Sequence, residues 1–178
     1  MNARLGPDEW IHAALRMLAE HGIDAVRVEK LAKALGVTKG SFYWHFTDRP
    51  ALLEAMLNAW KARATHDIIA LVETQGGDAR ARLLTLGRTV FNADGRLDRQ
   101  IRVWAANDAK ARAAQDEIDA GRMNYVVALF ENMGLAPDHA KARALFIYNA
   151  LIGQFAIGTP GRLDGEQLTI VLNLLVQD

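Results

Sequence analysis

The sequence predicts an all-α protein of about nine helices, with a three-helix N-terminal helix-turn-helix head followed by a larger helical body. Three observations lead there. Apolar residues recur at three- and four-residue spacing along most of the chain, and no segment alternates as a half-buried strand would. Only four prolines interrupt the 178 residues. Glycines fall just after the periodic segments, where helices end, at Gly22, Gly36, Gly76-Gly77 and Gly134.

Pro7, followed by Asp8 and Glu9, opens the first helix, because proline's missing N–H is harmless in a first turn. Ile11, Ala14, Leu15 and Leu18 form its inner face and Gly22 ends it. After a connection filled by Ile23 and Val26, a second helix is predicted over Val28–Leu35, burying Leu31 and Leu35. Gly36 then sits where a left-handed cap is expected. Thr38 is the expected N-cap of a short third helix reaching Phe46. Arg49-Pro50 starts a fourth, whose stripe of Leu53, Leu57, Trp60, Ala64, Ile68 and Leu71 spans about five turns. Further helices are predicted over Asp78–Asn92, Leu97–Ala106, Ala109–Met133, Pro137–Ile157 and Gly165–Val176, with Gly158-Thr159-Pro160-Gly161 breaking the last pair.

Composition narrows the class. Hydrophobic residues at 51% and charged residues at 24% describe a globular chain with enough apolar surface for a core. There are no cysteines, so disulfides, thiolate metal sites and a cysteine nucleophile are out, as suits a reducing compartment. The densest apolar run, Ala144–Ile157, is too short for a membrane span and carries Asn149 and Gln154. Met1-Asn2-Ala3-Arg4 lacks a signal-peptide core, so a cytoplasmic protein is expected. Lys+Arg and Asp+Glu both total 21, and residues 1–50 hold seven basic and six acidic groups. Any nucleic-acid binding must therefore rest on where positive charge sits rather than on its amount.

Leu31 to Tyr43 has the parts of a helix-turn-helix: two short helices joined by Gly36-Val37-Thr38, with small Ala32 at the close approach. Phe42 and Phe46, four apart, turn the back of the third helix into the core together with Leu35 and Val37. Its front is then Lys39, Gly40, Ser41, Tyr43, Trp44 and His45. In a major groove Lys39 suits guanine, Gly40 lets the backbone approach closely, and Tyr43 reaches bases. Thr38, Ser41, Trp44, His45 and Arg49 suit phosphate oxygens. Two adjacent aromatics on a face that must be exposed have little structural reason to be there.

These residues resemble the tetracycline-repressor (TetR) family. The resemblance rests on Ala19-Glu20-His21-Gly22, on Leu31-Ala32 with Leu35-Gly36-Val37, and above all on Tyr43-Trp44-His45-Phe46 followed by Arg49 and Leu52-Leu53. It covers about residues 8 to 55. Arg49 stands where a lysine is usual, which keeps the charge. Asp48 before it is placed to shield that charge or to cap the fourth helix. The resemblance implies a homodimer on a palindromic double-stranded operator, released when a small-molecule effector binds the second domain. The domains are then 1–48 for DNA binding and 49–178 for ligand binding and dimerisation.

Beyond Arg143 the helix at Pro137–Ile157 is apolar on nearly every face and must be covered all round. Part of it can pack on its own subunit, and the rest calls for the final helix and a second copy of both. Leu151, Phe155, Leu168, Val171, Leu172 and Leu175 are the expected dimer contacts. If the family layout holds, an effector pocket lies among the helices at 78–92, 109–133 and 137–157. Its candidate walls are Phe91, Trp104, Met123, Val127, Phe130, Tyr148 and Gln154. Asn149 and Gln154, if buried, need partners in a ligand, in each other across the dimer, or in nearby backbone. The five histidines lack ligand spacing, and no phosphate loop or nucleophile elbow occurs. Neither an enzyme nor a cofactor or metal is expected. A helical ligand-binding or scaffolding protein, with a head that contacts protein instead of DNA, is the alternative.

Overall fold

The computed structural model describes residues 5–158 and 163–176; Met1-Asn2-Ala3-Arg4 and the expected helix breaker Thr159-Pro160-Gly161 lie outside them. The helices are α1 (Pro7–His21), α2 (Val28–Leu35), α3 (Lys39–Tyr43), α4 (Arg49–Lys61), α5 (Ile68–Gln75), α6 (Ala79–Phe91), α7 (Arg96–Ala105), α8 (Ala109–Asn132), α9 (Pro137–Ile157) and α10 (Gly165–Leu175). A π-helical segment, Ala62–Asp67, joins α4 to α5, so that α4 to α5 is one helical run, as the apolar stripe predicts. No strand occurs among the described residues.

The chain divides into two compact units. The first comprises the residues up to Ala62 together with Arg96–Gln115, and the second comprises Arg63–Gly95 with the residues from Asp116 on.

In the first unit α1 is the central rod, packed by α2, α4 and α7. Trp10, Leu18, Leu31, Phe42, Leu52 and Met56 are fully buried around it. The Trp10 and Phe42 rings meet edge-on at 5.3 Å, and Phe46 lies 5.4 Å from Phe42. Gly36 takes the left-handed conformation expected of it (φ 68°, ψ 28°). There the Val37 N–H reaches back to the Ala32 carbonyl at 3.0 Å, closing α2 and turning the chain. Leu35 and Val37 are only half-buried, because the short turn lifts them to the rim of a core that Phe42 already fills.

The Trp10 indole nitrogen is buried without a hydrogen-bond partner. A Trp10→Phe variant therefore loses ring area but also relieves an orphaned donor. It is expected to melt near the wild-type temperature, whereas Trp10→Ala is expected to cost about 3–5 kcal/mol in denaturant unfolding.

In the second unit Val72, Leu83, Phe130, Ala144, Leu168 and Leu172 belong to one core. α10 lies close on α6 because Gly87 has no side chain: a Cβ there would come within 2.5 Å of Leu172 Cδ1. Gly95 likewise leaves room for the Phe155 ring.

Two expectations are corrected here. The helical stripe through Leu71 does not hold: Leu57 and Trp60 are buried, but Leu71 is exposed and Val72 takes the inner position. The wider π turn inserts the equivalent of a residue, which rotates the later face by one position. The expected dimer contacts also change. Leu151, Leu168 and Leu172 are buried inside their own subunit, while Phe155, Val171 and Leu175 are half-buried. α9 meets α6 and the rest of the core through Ala140, Ala144, Ile147 and Leu151, which turns Leu145 and Phe146 outward. The outer apolar residues are Leu145, Phe146 (62% exposed), Ile157, Ile170 and Leu174 (63% exposed). Asn149 shares this outer face and is not buried.

Candidate nucleic-acid interface

α3 is held by its back. Phe42 is wholly buried and Phe46 nearly so, which fixes the rotation of the short helix and leaves Tyr43 (61% exposed) and Trp44 (76% exposed) on the outside. The Tyr43 ring stands edge-on to Phe42 at 5.3 Å, so the ring is braced although the residue is mostly exposed. The helix ends earlier than the sequence suggested, at Tyr43, with the His45 and Phe46 N–H groups both bonding the Phe42 carbonyl.

Thr38 is the N-cap by position, but its side chain makes no capping bond; the Ser41 N–H bonds its carbonyl instead. Thr38, Lys39 and Gly40 are exposed and Ser41 half-buried. A Cβ at Gly40 would meet only Thr38 Oγ1, at 3.6 Å, an ordinary contact. The fold itself therefore does not need glycine there, although glycine within a helix costs about 0.5–1 kcal/mol.

Lys39 Nζ lies 2.6 Å from Glu29 Oε1, joining the start of α3 to the first turn of α2. The bond from Lys39 holds the Glu29 carboxyl below the usual carboxylate range.

Two of the five expected phosphate ligands, His45 and Arg49, are engaged within the head. His45 Nε2 is 2.8 Å from the Leu5 carbonyl oxygen, tying the segment before α1 to the end of the turn. Arg49 donates through Nε to the Val26 carbonyl (2.7 Å) and through an Nη to that of Ile23 (3.0 Å). A guanidinium holds two carbonyls at once in a fixed fork, so Arg49 pins the connection after α1 to the start of α4. Asp48 caps α4, its Oδ1 accepting the Ala51 N–H at 2.8 Å. Of the two roles the sequence left open for Asp48, capping is the one observed.

The expected effector residues are divided between the two units. Trp104 is buried in the first unit, whereas Phe91, Met123, Val127, Phe130, Tyr148 and Gln154 belong to the second. Phe91 and Phe130 lie in that unit's core, and Met123 and Val127 pack against it half-buried. Gln154 donates to the Phe91 carbonyl at 2.7 Å, so backbone supplies its partner. The Tyr148 hydroxyl donates to Asp119 at 2.6 Å. Burial, followed by the bond to Asp119, pushes its ionisation up to about 12.

Sequence reasoning missed Glu29, Asp119 and the carbonyls that hold His45 and Arg49. Backbone acceptors leave no trace in residue type. Glu29 stands ten residues before Lys39, a separation that only the turn at Gly36 converts into contact. Among the described residues no cluster of His, Asp or Glu is placed to hold a metal ion, and no helix is long and apolar enough to cross a membrane.

Residues 11–56 match the family described as bacterial regulatory proteins, tetR family. The chain is 42% identical over 66 residues to the class A tetracycline repressor protein from transposon 1721 of Escherichia coli, a match covering 36% of this chain and 31% of the repressor. With the class D repressor of Escherichia coli the identity is 44% over 54 residues, 30% of this chain and 25% of that protein. These matches thus span less than a third of the relatives' length. The fold as a whole is similar to reduced Escherichia coli NemR, at a TM-score of 0.77 and 20% identity, covering 95% of each chain.

Proposed function

We propose that this chain, whose residues 11–56 belong to the TetR family of bacterial regulatory proteins, is a sequence-specific DNA-binding transcriptional regulator. It works as a homodimeric repressor on a palindromic operator and is released by a small-molecule effector. The observation that carries this reading is the two-sided α3: Phe42 and Phe46 lock its back, and Tyr43 and Trp44 stand side by side in solvent. Lys39, Gly40 and Tyr43 face bases, and Thr38, Ser41 and Trp44 face phosphates. His45 and Arg49 act chiefly by positioning the head, through their bonds to the Leu5, Val26 and Ile23 carbonyls. Residues 1–48 form the DNA-reading part; residues 49–178 bind ligand and dimerise. The site of action is the cytoplasm, where operator DNA lies.

Dimerisation follows from the outer apolar face of α9 and α10. Leu145 and Phe146 on α9 and Ile170 and Leu174 on α10 are exposed, and a second copy related by a two-fold axis would cover them with the same residues. Phe155, Val171 and Leu175 on the same two helices are half-buried. The effector site lies in the core of the second unit near Phe91, Met123, Val127, Phe130, Tyr148 and Gln154.

Salt dependence tests the DNA reading. Binding of the full chain to a palindrome selected from random double-stranded DNA is expected to weaken linearly in log–log form, with a slope of about 0.9 per phosphate contact. A shallow slope with no preference for any palindrome would favour a head that contacts protein.

A further inference from the structure

We propose that Lys39 and Glu29 act as one unit that reads a single G·C base pair in each half-site, the ammonium on guanine and the carboxylate on the cytosine amino group. The inference rests on the DNA-reading function above and assigns a specificity role to Glu29, which the comparisons and the sequence leave without one.

The starting observation is a carboxylate where a DNA-binding face should avoid one. Lys39 opens α3 and Glu29 sits in the first turn of α2, and their side chains meet at 2.6 Å with 56% and 60% of their surfaces in solvent. An ion pair this exposed contributes little to stability, so holding α2 against α3 is a weak reason for it. That task already falls to Phe42, to Leu31 and to the Gly36 turn. Facing a polyanion, an unmatched carboxylate would be repelled. It is favourable there only if it finds a donor.

The major-groove edge of a G·C pair supplies that donor in the right order. Guanine presents N7 and O6, two adjacent acceptors for an ammonium, and the cytosine N4 amino group lies beside O6. A donor and an acceptor held within hydrogen-bond distance of each other match that edge. An A·T pair presents acceptor, donor, acceptor. The ammonium would then have one acceptor with an amino group next to it, and a carboxylate placed beyond would meet the thymine O4. The pair is also nearly neutral, so it adds selectivity without adding net charge. This agrees with a head that carries almost equal numbers of basic and acidic groups.

The test is a selection from double-stranded DNA with a randomised core of about 20 base pairs, the span of two half-sites a helical turn apart, using the full chain and its Glu29→Gln variant in parallel. For the wild type, an invariant G·C pair is expected in each half-site, and replacing both by A·T is expected to weaken binding at least about tenfold. For Glu29→Gln, that discrimination is expected to fall to about threefold or less or to turn towards A·T, since a glutamine amide suits adenine. Other positions of the half-site should keep their preferences, and affinity for unrelated DNA should hold or rise. Glu29 is exposed, so an unchanged helical circular-dichroism signal should accompany the change. An identical selected sequence for both proteins would overturn the inference while leaving the DNA reading intact. A wild type that enriches no sequence would remove both.

Discussion

Replacing Tyr43 with alanine is expected to weaken operator binding by about thirtyfold or more while leaving the protein folded and dimeric. Tyr43 is 61% exposed and its ring meets Phe42 edge-on, so its removal opens little internal space. A lost base contact is worth about 1–3 kcal/mol, and a two-fold complex loses it twice. The combined loss, roughly 2–6 kcal/mol, is a thirtyfold to more than a thousandfold drop in affinity at fixed salt. Lys39→Ala should behave similarly. Gel-filtration volume and melting temperature are the controls. Operator affinity that stays at the wild-type level in both variants would remove α3 as the reading element.

The second large effect is expected at the other end of the chain. Phe146→Glu or Leu174→Glu puts a charge on the outer face of α9 or α10, where each wild-type side chain is more than 60% exposed in the single subunit. The isolated subunit tolerates such a change. A self-complementary interface does not, because each substitution appears twice and buries two like charges without partners. The variants should run as folded monomers in size-exclusion chromatography with light scattering. Once the heads are unlinked, the second half-site no longer benefits from effective concentration, and operator affinity should fall by about a hundredfold or more. A dimer that survives both substitutions would mean that another surface holds the copies together.

The contrast between the two ends of the molecule shows what a sequence carries and what it does not. The head was legible because its signals are local. Gly36 takes the positive φ its place requires, Asp48 caps α4, and the four-residue spacing of Phe42 and Phe46 sets the rotation of α3. The residues expected to meet DNA bases are therefore on the outside. The body was legible as helices but not as faces. On α9 nearly every position after Arg143 is apolar, so periodicity does not tell inside from outside, and Leu151, expected at the dimer contact, lies in the subunit's own core, as do Leu168 and Leu172 of α10. The π segment adds to this by displacing the inward position from Leu71 to Val72 without any marker in residue type. Lys39 and Glu29 illustrate the remaining gap. Each is visible as a charge, but their meeting is a product of the turn between them.

The four tryptophans are unequally shielded: Trp10, Trp60 and Trp104 are at most 5% exposed, while Trp44 is 76% exposed. Collisional quenchers such as acrylamide or iodide therefore reach one indole far more readily than the other three. That indole stands on the surface proposed to lie against the double helix. The protein thus contains its own optical reporter: protection of the quenchable emission upon titration with oligonucleotide would follow engagement of the head without any dye or tag.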